Sequence, residues 1–177
     1  MHAFTASLTR LGAKLSLAAL LTAGAGLVAM TVMVAWGVFG RYVLNDTPAW
    51  VEAASLFLMS WFILLGASVG VRESDHLGFE VGLALSPAPL RMALVVLTEL
   101  LVIFFGLAML IYGWQLAAGT WSDRMPIIGI SRGWDYIPIA AGGVLIAFFS
   151  FEKLMLYLTR VKQAPLGFVH FSSADEV

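Results

Sequence analysis

Four long apolar stretches, at about residues 15–39, 50–71, 90–112 and 136–157, leave this chain few ways to fold. A helix needs about 20 residues to cross a hydrocarbon core roughly 30 Å thick, and each stretch is that long. Only 12% of the 177 residues are charged, against about 25% in soluble domains. Mean hydropathy is +0.92. The chain therefore reads as an all-α integral membrane protein with four transmembrane helices and short interfacial helices. Cysteine is absent, which excludes disulfides, Cys-ligated zinc, iron–sulfur clusters and thiol catalysis. A formal net charge of -1 gives no basis for a nucleic acid partner, so membrane lipid is the expected surrounding.

Start signals punctuate the connections. In "NDTPAW", Asp46 or Thr47 can cap a helix that opens on Pro48, and "SPAPLR" repeats the device with Ser86 and Pro87. The third connection, 115–138, mixes apolar residues with turn formers and is expected to hold a short interfacial helix and a partly ordered loop. Trp36, Trp50, Trp114, Trp121, Trp134 and Tyr136 fall near predicted helix ends, as an aromatic belt would. With four spans, the termini and the second connection share one side. That side carries Arg10, Lys14, Arg72, Arg91, Lys153, Arg160 and Lys162, and the other only Arg41, Arg124 and Arg132. The positive-inside rule puts the richer side, with both termini, in the cytoplasm. The expected organisation is a cytoplasmic interfacial stretch over 1–14, a four-helix transmembrane domain over 15–158 and a cytoplasmic tail over 159–177. "AGA" at 23–25 resembles a signal-peptide cleavage site, but the apolar run continues past it, so a full span is the simpler reading.

The most polar internal stretch is "VRESDHLGFEV", 71–81, with Arg72, His76 and three carboxylates. A metal site wants several converging ligands, and His76 is the single histidine near it, so a solvated turn is favoured. No span contains a histidine, which also argues against bis-histidine haem ligation. No cofactor or metal is expected. Within the spans Glu99 stands out, about nine residues into the third. It is expected near the midplane, bonded as a protonated carboxyl to Ser60 or Trp61, paired in another subunit, or acting as a relay. Glu52 is expected either to pair with Arg41 across the first connection or to face water with it. Gly66 and Gly70 form G-x-x-x-G, and Gly142 with Gly143 opens the fourth helix to close packing. Catalytic and phosphate-binding signatures are missing, so the chain is not read as an enzyme. It also has neither the repeats nor the broken helices usual in free-standing secondary transporters.

The run 40–81, "GRYVLNDTPAWVEAASLFLMSWFILLGASVGVRESDHLGFEV", resembles the small membrane subunit of tripartite ATP-independent periplasmic (TRAP) transporters, the DctQ-like family. Arg41-Tyr42, Trp50-x-Glu52, Trp61, Gly66-Ala67, Arg72 and His76 carry the resemblance, joined by Pro126, Gly129-Ile130 and Tyr136-Ile137-Pro138. It extends over about 28–156. It implies four transmembrane helices with both termini cytoplasmic, in the bacterial inner membrane. It also implies a stable heterodimer with a large membrane subunit that carries the substrate and sodium sites, fed transiently by a periplasmic substrate-binding protein. Substrates of such systems are mostly organic acids. The small subunit is then a scaffold bracing the large one, and Arg41, Trp50, Glu52, Trp61, Arg72, His76 and Glu99 become candidate assembly or structural positions.

Two departures stand against that pattern. Many relatives have an acidic pair where this chain has Glu52-Ala53, and a plainer spacing where it has Arg72-Glu73-Ser74-Asp75-His76. His76 is expected to make an assembly contact or to cap the second helix. The alternative function is an independent small oligomeric transporter or channel with Glu99 lining its path.

Overall fold

The computed structural model describes residues 2–46, 48–73, 87–125, 127 and 129–163. They form four long helices: α1 (His2–Tyr42), α2 (Ala49–Glu73), α3 (Ala88–Gly119) and α4 (Ile137–Gln163). A 3-10 turn, Arg132–Asp135, precedes α4. All four helices are long and apolar enough to cross a membrane. At 1.5 Å per residue the 41-residue α1 is about 62 Å long, twice the hydrocarbon thickness. Residues 2–14, within the stretch expected to lie at the interface, form the first turns of α1, and α4 runs past 158.

The helices lie in the order α1, α2, α4, α3, so that α4 is packed on both sides while α1 and α3 flank the layer. Alternating three- and four-residue steps place the contact positions. On α1 the inward seam runs Gly12, Ser16, Ala19, Ala23, Gly26, Met30, Met33, Gly37 and Gly40, nearly all small residues. On α2 it runs Val51, Ser55, Leu58, Phe62, Leu65, Val69 and Arg72. That average step of 3.5 is the seam of left-handed helix pairs. Small side chains suit it in lipid, where helices associate by close packing rather than by escape from water. A Cβ on Gly26 would lie 3.3 Å from Phe62, and one on Gly37 2.8 Å from Val51.

Neighbouring glycines give α4 its two faces. Gly142 meets α2, where a Cβ would lie 3.2 Å from Leu64 Cβ. Gly143 meets α3, where a Cβ would lie 2.6 Å from the Gly106 carbonyl oxygen and 2.7 Å from Leu110 N. A heptad further along α3, a Cβ on Gly113 would lie 2.8 Å from Ala140 N. Gly66 and Gly70 are different, since nothing lies within 4 Å of a Cβ on either. The G-x-x-x-G of α2 therefore faces away from the other helices of this chain.

The connections are tightly bonded. Between α1 and α2, Asn45 adopts φ 51° and the Asp46 N–H returns to the Gly40 carbonyl at 3.0 Å. Helix α2 then begins at Ala49, directly after Pro48. Helix α3 begins at Ala88 after Pro87, which carries no side-chain cap bond. Ser86 and Thr47, expected as caps, lie outside the described residues. Between α3 and α4 a hairpin forms: Met125 N bonds Ile130 O at 2.9 Å, and Arg132 N bonds Asp123 O at 2.8 Å. Gly129 turns its tip with φ 74°. Ser131 then caps the 3-10 turn by accepting from Gly133 N, while its hydroxyl donates to Trp121 O at 2.6 Å.

Candidate functional site

The principal polar site lies toward the end of the molecule where α1 begins and α4 ends. Arg72, on the last turn of α2, is the next seam position after Val69, and its side chain crosses to α4. Its Nε donates to Glu152 Oε2 and its Nη2 to Glu152 Oε1, each at 3.4 Å. These bonds are long for charge-assisted ones, but the two-point fork is the geometry that matches guanidinium to carboxylate. The guanidinium also lies 5.9 Å from the centroid of the Phe149 ring. Phe149 is wholly buried, as are Ser68 and Ser150 nearby in sequence on α2 and α4.

Helix α1 closes the other side. A Cβ on Gly12 would collide with Glu152 Oε2 and lie 2.7 Å from its Cδ, so the carboxylate occupies the space a side chain would take. One turn on, Ser16 is also buried. The Arg72 side chain is 21% exposed and the Glu152 side chain 4%. A lone charge so placed would be costly; paired, its cost is largely offset, and removing one partner strands the other. The site's chemistry is that of a tie between three helices.

Glu99 is 7% exposed. It lies one heptad before Gly106 and two before Gly113, on the face of α3 that packs on α4. Since Gly106 meets Gly143 and Ala147, the antiparallel register brings Glu99 to the level of Ser150, Glu152 and Leu154. The expected company of Ser60 and Trp61 is corrected by this register. Trp61 is three residues before Leu64, which meets Gly142, so it lies near the level of Gly113, about 21 Å from Glu99 along the layer. Ser60 Oγ donates to Phe57 O at 2.8 Å, and Trp61 Nε1 is buried without a hydrogen-bond partner. Glu99 lies about 17 Å from the start of α3 and 30 Å from its end.

The remaining expected positions are scattered. Arg41, Trp50 and Glu52 are exposed near the opposite end, and Arg41 and Glu52 form no ion pair. His76 lies outside the described residues. Trp36, Trp50, Trp114, Trp121 and Trp134 are all exposed, and all sit toward the end where α1 finishes and α2 begins. Trp121 and Trp134 pack with centroids 6.0 Å apart. Beside them, an open, mainly apolar cleft of about 270 Å³ separates Phe57 of α2 from Met125, Ile127 and Arg132.

Glu152 and Gly12 are the residues that sequence reasoning missed. Glu152 was visible in principle, since "SFEKLM" puts an acid inside the fourth apolar stretch, as "LTELL" does in the third. Arg72, expected in the turn, belongs to α2 and points toward α4.

Fold and site together define a polytopic helical membrane protein whose part-buried ion pair binds its own helices to one another. Residues 30–160 match the DctQ component of tripartite ATP-independent periplasmic transporters, and the chain belongs to that family. It is 26% identical over 128 residues to the sialic acid TRAP transporter small permease protein SiaQ of Vibrio cholerae, spanning 72% of this chain and 74% of that one. It is 33% identical over 114 residues to the C4-dicarboxylate small permease protein DctQ of the same organism, spanning 63% of this chain but only 46% of the relative. A DctQ protein of Pseudomonas aeruginosa is 29% identical over 133 residues, 72% of this chain and 63% of that one. This is a small permease subunit of a TRAP transporter, a multi-pass protein of the bacterial inner membrane and not an enzyme.

Proposed function

We propose that this subunit is a scaffold: it braces the static part of a large multi-spanning partner while that partner's transport domain carries the solute. The observation behind this reading is the single-layer packing. Only 11% of the most apolar window of α1, and 11% of that of α3, is buried within the chain, so both flanks offer apolar helix surface to a partner or to lipid. Both termini lie in the cytoplasm, as the seven-to-three division of Lys and Arg favours. The partner forms a stable heterodimer with this chain and carries the sodium and substrate sites. A periplasmic protein delivers the substrate, an organic acid, as the sialic acid and C4-dicarboxylate systems of the relatives suggest.

Reconstitution tests this. Proteoliposomes holding both membrane subunits, supplied with the binding protein and an inward sodium gradient, should accumulate a labelled organic acid. Vesicles with this chain alone should not. Solute flux through this chain alone would overturn the scaffold reading in favour of an independent transporter.

A further inference from the structure

We propose that Arg72, Glu152 and Gly12 form an interhelical latch that fixes the terminal half of α1 against the α2–α4 pair and so sets the shape this subunit presents to its partner. The second half of that statement rests on the scaffold reading; the latch itself does not.

The argument starts from how α1 is held. Along most of its length α1 touches α2 through small residues, and its contact with α4 is slight by comparison. Such a seam holds α1 by close packing against α2. Where α1 meets α4, the Glu152 carboxylate lies over Gly12, in the space a side chain there would fill. The carboxylate is pinned from the far side by the two-point bond to Arg72, and the guanidinium is backed by Phe149. Gly12 is thus the seat for an ion pair contributed by two other helices. Any larger residue there would push the carboxylate off its partner or α1 off α4. With Glu152 nearly enclosed, the pair is also hard to dissolve one member at a time, since each break leaves a poorly solvated charge.

The absence of cysteine makes the test direct. Spin labels on cysteines introduced at the exposed positions Leu11 and Phe151 report the α1–α4 distance by double electron–electron resonance. Labels at the exposed positions Leu101 and Val144 report the α3–α4 pair as a control. The full chain is used, alone and in complex with the large subunit. Wild type should give one narrow Leu11–Phe151 distribution. Glu152→Gln, Arg72→Gln and Gly12→Ala should each broaden or lengthen it, leave the control narrow, and lower solute uptake by the assembled transporter several-fold. The double variant Arg72→Gln/Glu152→Gln, which strands no charge, should be less perturbed than either single; a purely space-filling role would make the losses add. If a single variant also broadens the control, the double decides, recovery supporting the latch and additive loss overturning it. An unchanged Leu11–Phe151 distribution in both Gln variants overturns the latch. A broadened distribution with uptake intact overturns its link to transport. Failure of the wild-type chain to bind the large subunit would count against the scaffold reading, while the distances would still judge the latch.

Discussion

Gly143→Ala puts the packing of the layer to a quantitative test. The new methyl would lie 2.6 Å from the Gly106 carbonyl oxygen, 2.7 Å from Leu110 N and 2.8 Å from Met109 Cβ. Ordinary contact begins near 3.4 Å, so α3 and α4 must part by several tenths of an ångström, and backbone atoms cannot swing aside as a side chain can. Overpacking of this kind costs about 1–3 kcal/mol. The parting also weakens neighbouring contacts along the crossing, a gap of roughly 0.5–1 Å forfeiting a quarter to a half of each. Against this, Ala gains roughly 0.5–1 kcal/mol over Gly within a helix. The net loss should be about 1–2 kcal/mol. Gly66→Ala is the matched control, because only the propensity gain operates where nothing lies within 4 Å. The two variants should therefore differ by about 2 kcal/mol, with opposite signs relative to wild type. Unfolding of the purified chain from mild detergent into sodium dodecyl sulfate, followed by tryptophan fluorescence, measures both. If Gly143→Ala were as stable as Gly66→Ala, the close α3–α4 crossing would be refuted, and with it the register that places Glu99 opposite Glu152.

Other expectations come from single positions. Asn45 holds φ 51°, a conformation that β-branched residues resist, so Asn45→Val should cost about 1–2 kcal/mol in the same unfolding assay while Asn45→Gly should be nearly neutral. Ser131→Ala removes both a bond to Trp121 O and the cap on the 3-10 turn, a local loss of about 1 kcal/mol. Tryptic cleavage after Arg124 should then accelerate about fivefold, and an unchanged rate would show that the hairpin is held otherwise. Ser150→Ala deletes a hydroxyl that is buried without a partner, so stability should stay level or rise by up to about 1 kcal/mol.

Spans and close-packing glycines of α4 were legible in the sequence for a simple reason. Apolar run length is a local property, and the Gly142-Gly143 pair supplies small faces in two directions whatever the neighbours are. What was not legible depended on which helices are neighbours. Nothing in "GVRESD" says whether Arg72 reaches back to water or across to another helix, because its long stem permits both. The answer came from α2 and α4 running side by side in parallel, separated in sequence by the whole of α3. The same holds for the neighbours of Glu99: the register with α4, set by Gly106 and Gly113, places it at the level of Glu152 and not of Trp61. Gly66 and Gly70 carry the complementary lesson: a small-residue motif shows that close approach is possible, not that this chain uses it.

The layer has one further consequence for how its stability responds to solution conditions. In lipid the seams of α1, α2 and α4 gain little from the hydrophobic effect, so the Arg72–Glu152 pair carries a larger share of the specificity than it would in a water-soluble core. Exposed charge pairs are screened by salt over about 10 Å at 0.1 M and 3 Å at 1 M, but a pair with one partner 4% exposed admits few ions between its charges. The stability difference between wild type and Glu152→Gln should therefore stay nearly constant from 0.1 to 1 M sodium chloride in the detergent unfolding assay. Arg41 and Glu52, exposed and without an ion pair among the described residues, provide the contrast, since neutralising either should change stability little at any salt concentration. A difference that shrank steeply with salt would mean that the Glu152 carboxylate is solvated, and that Gly12 leaves a water-filled gap rather than a seat.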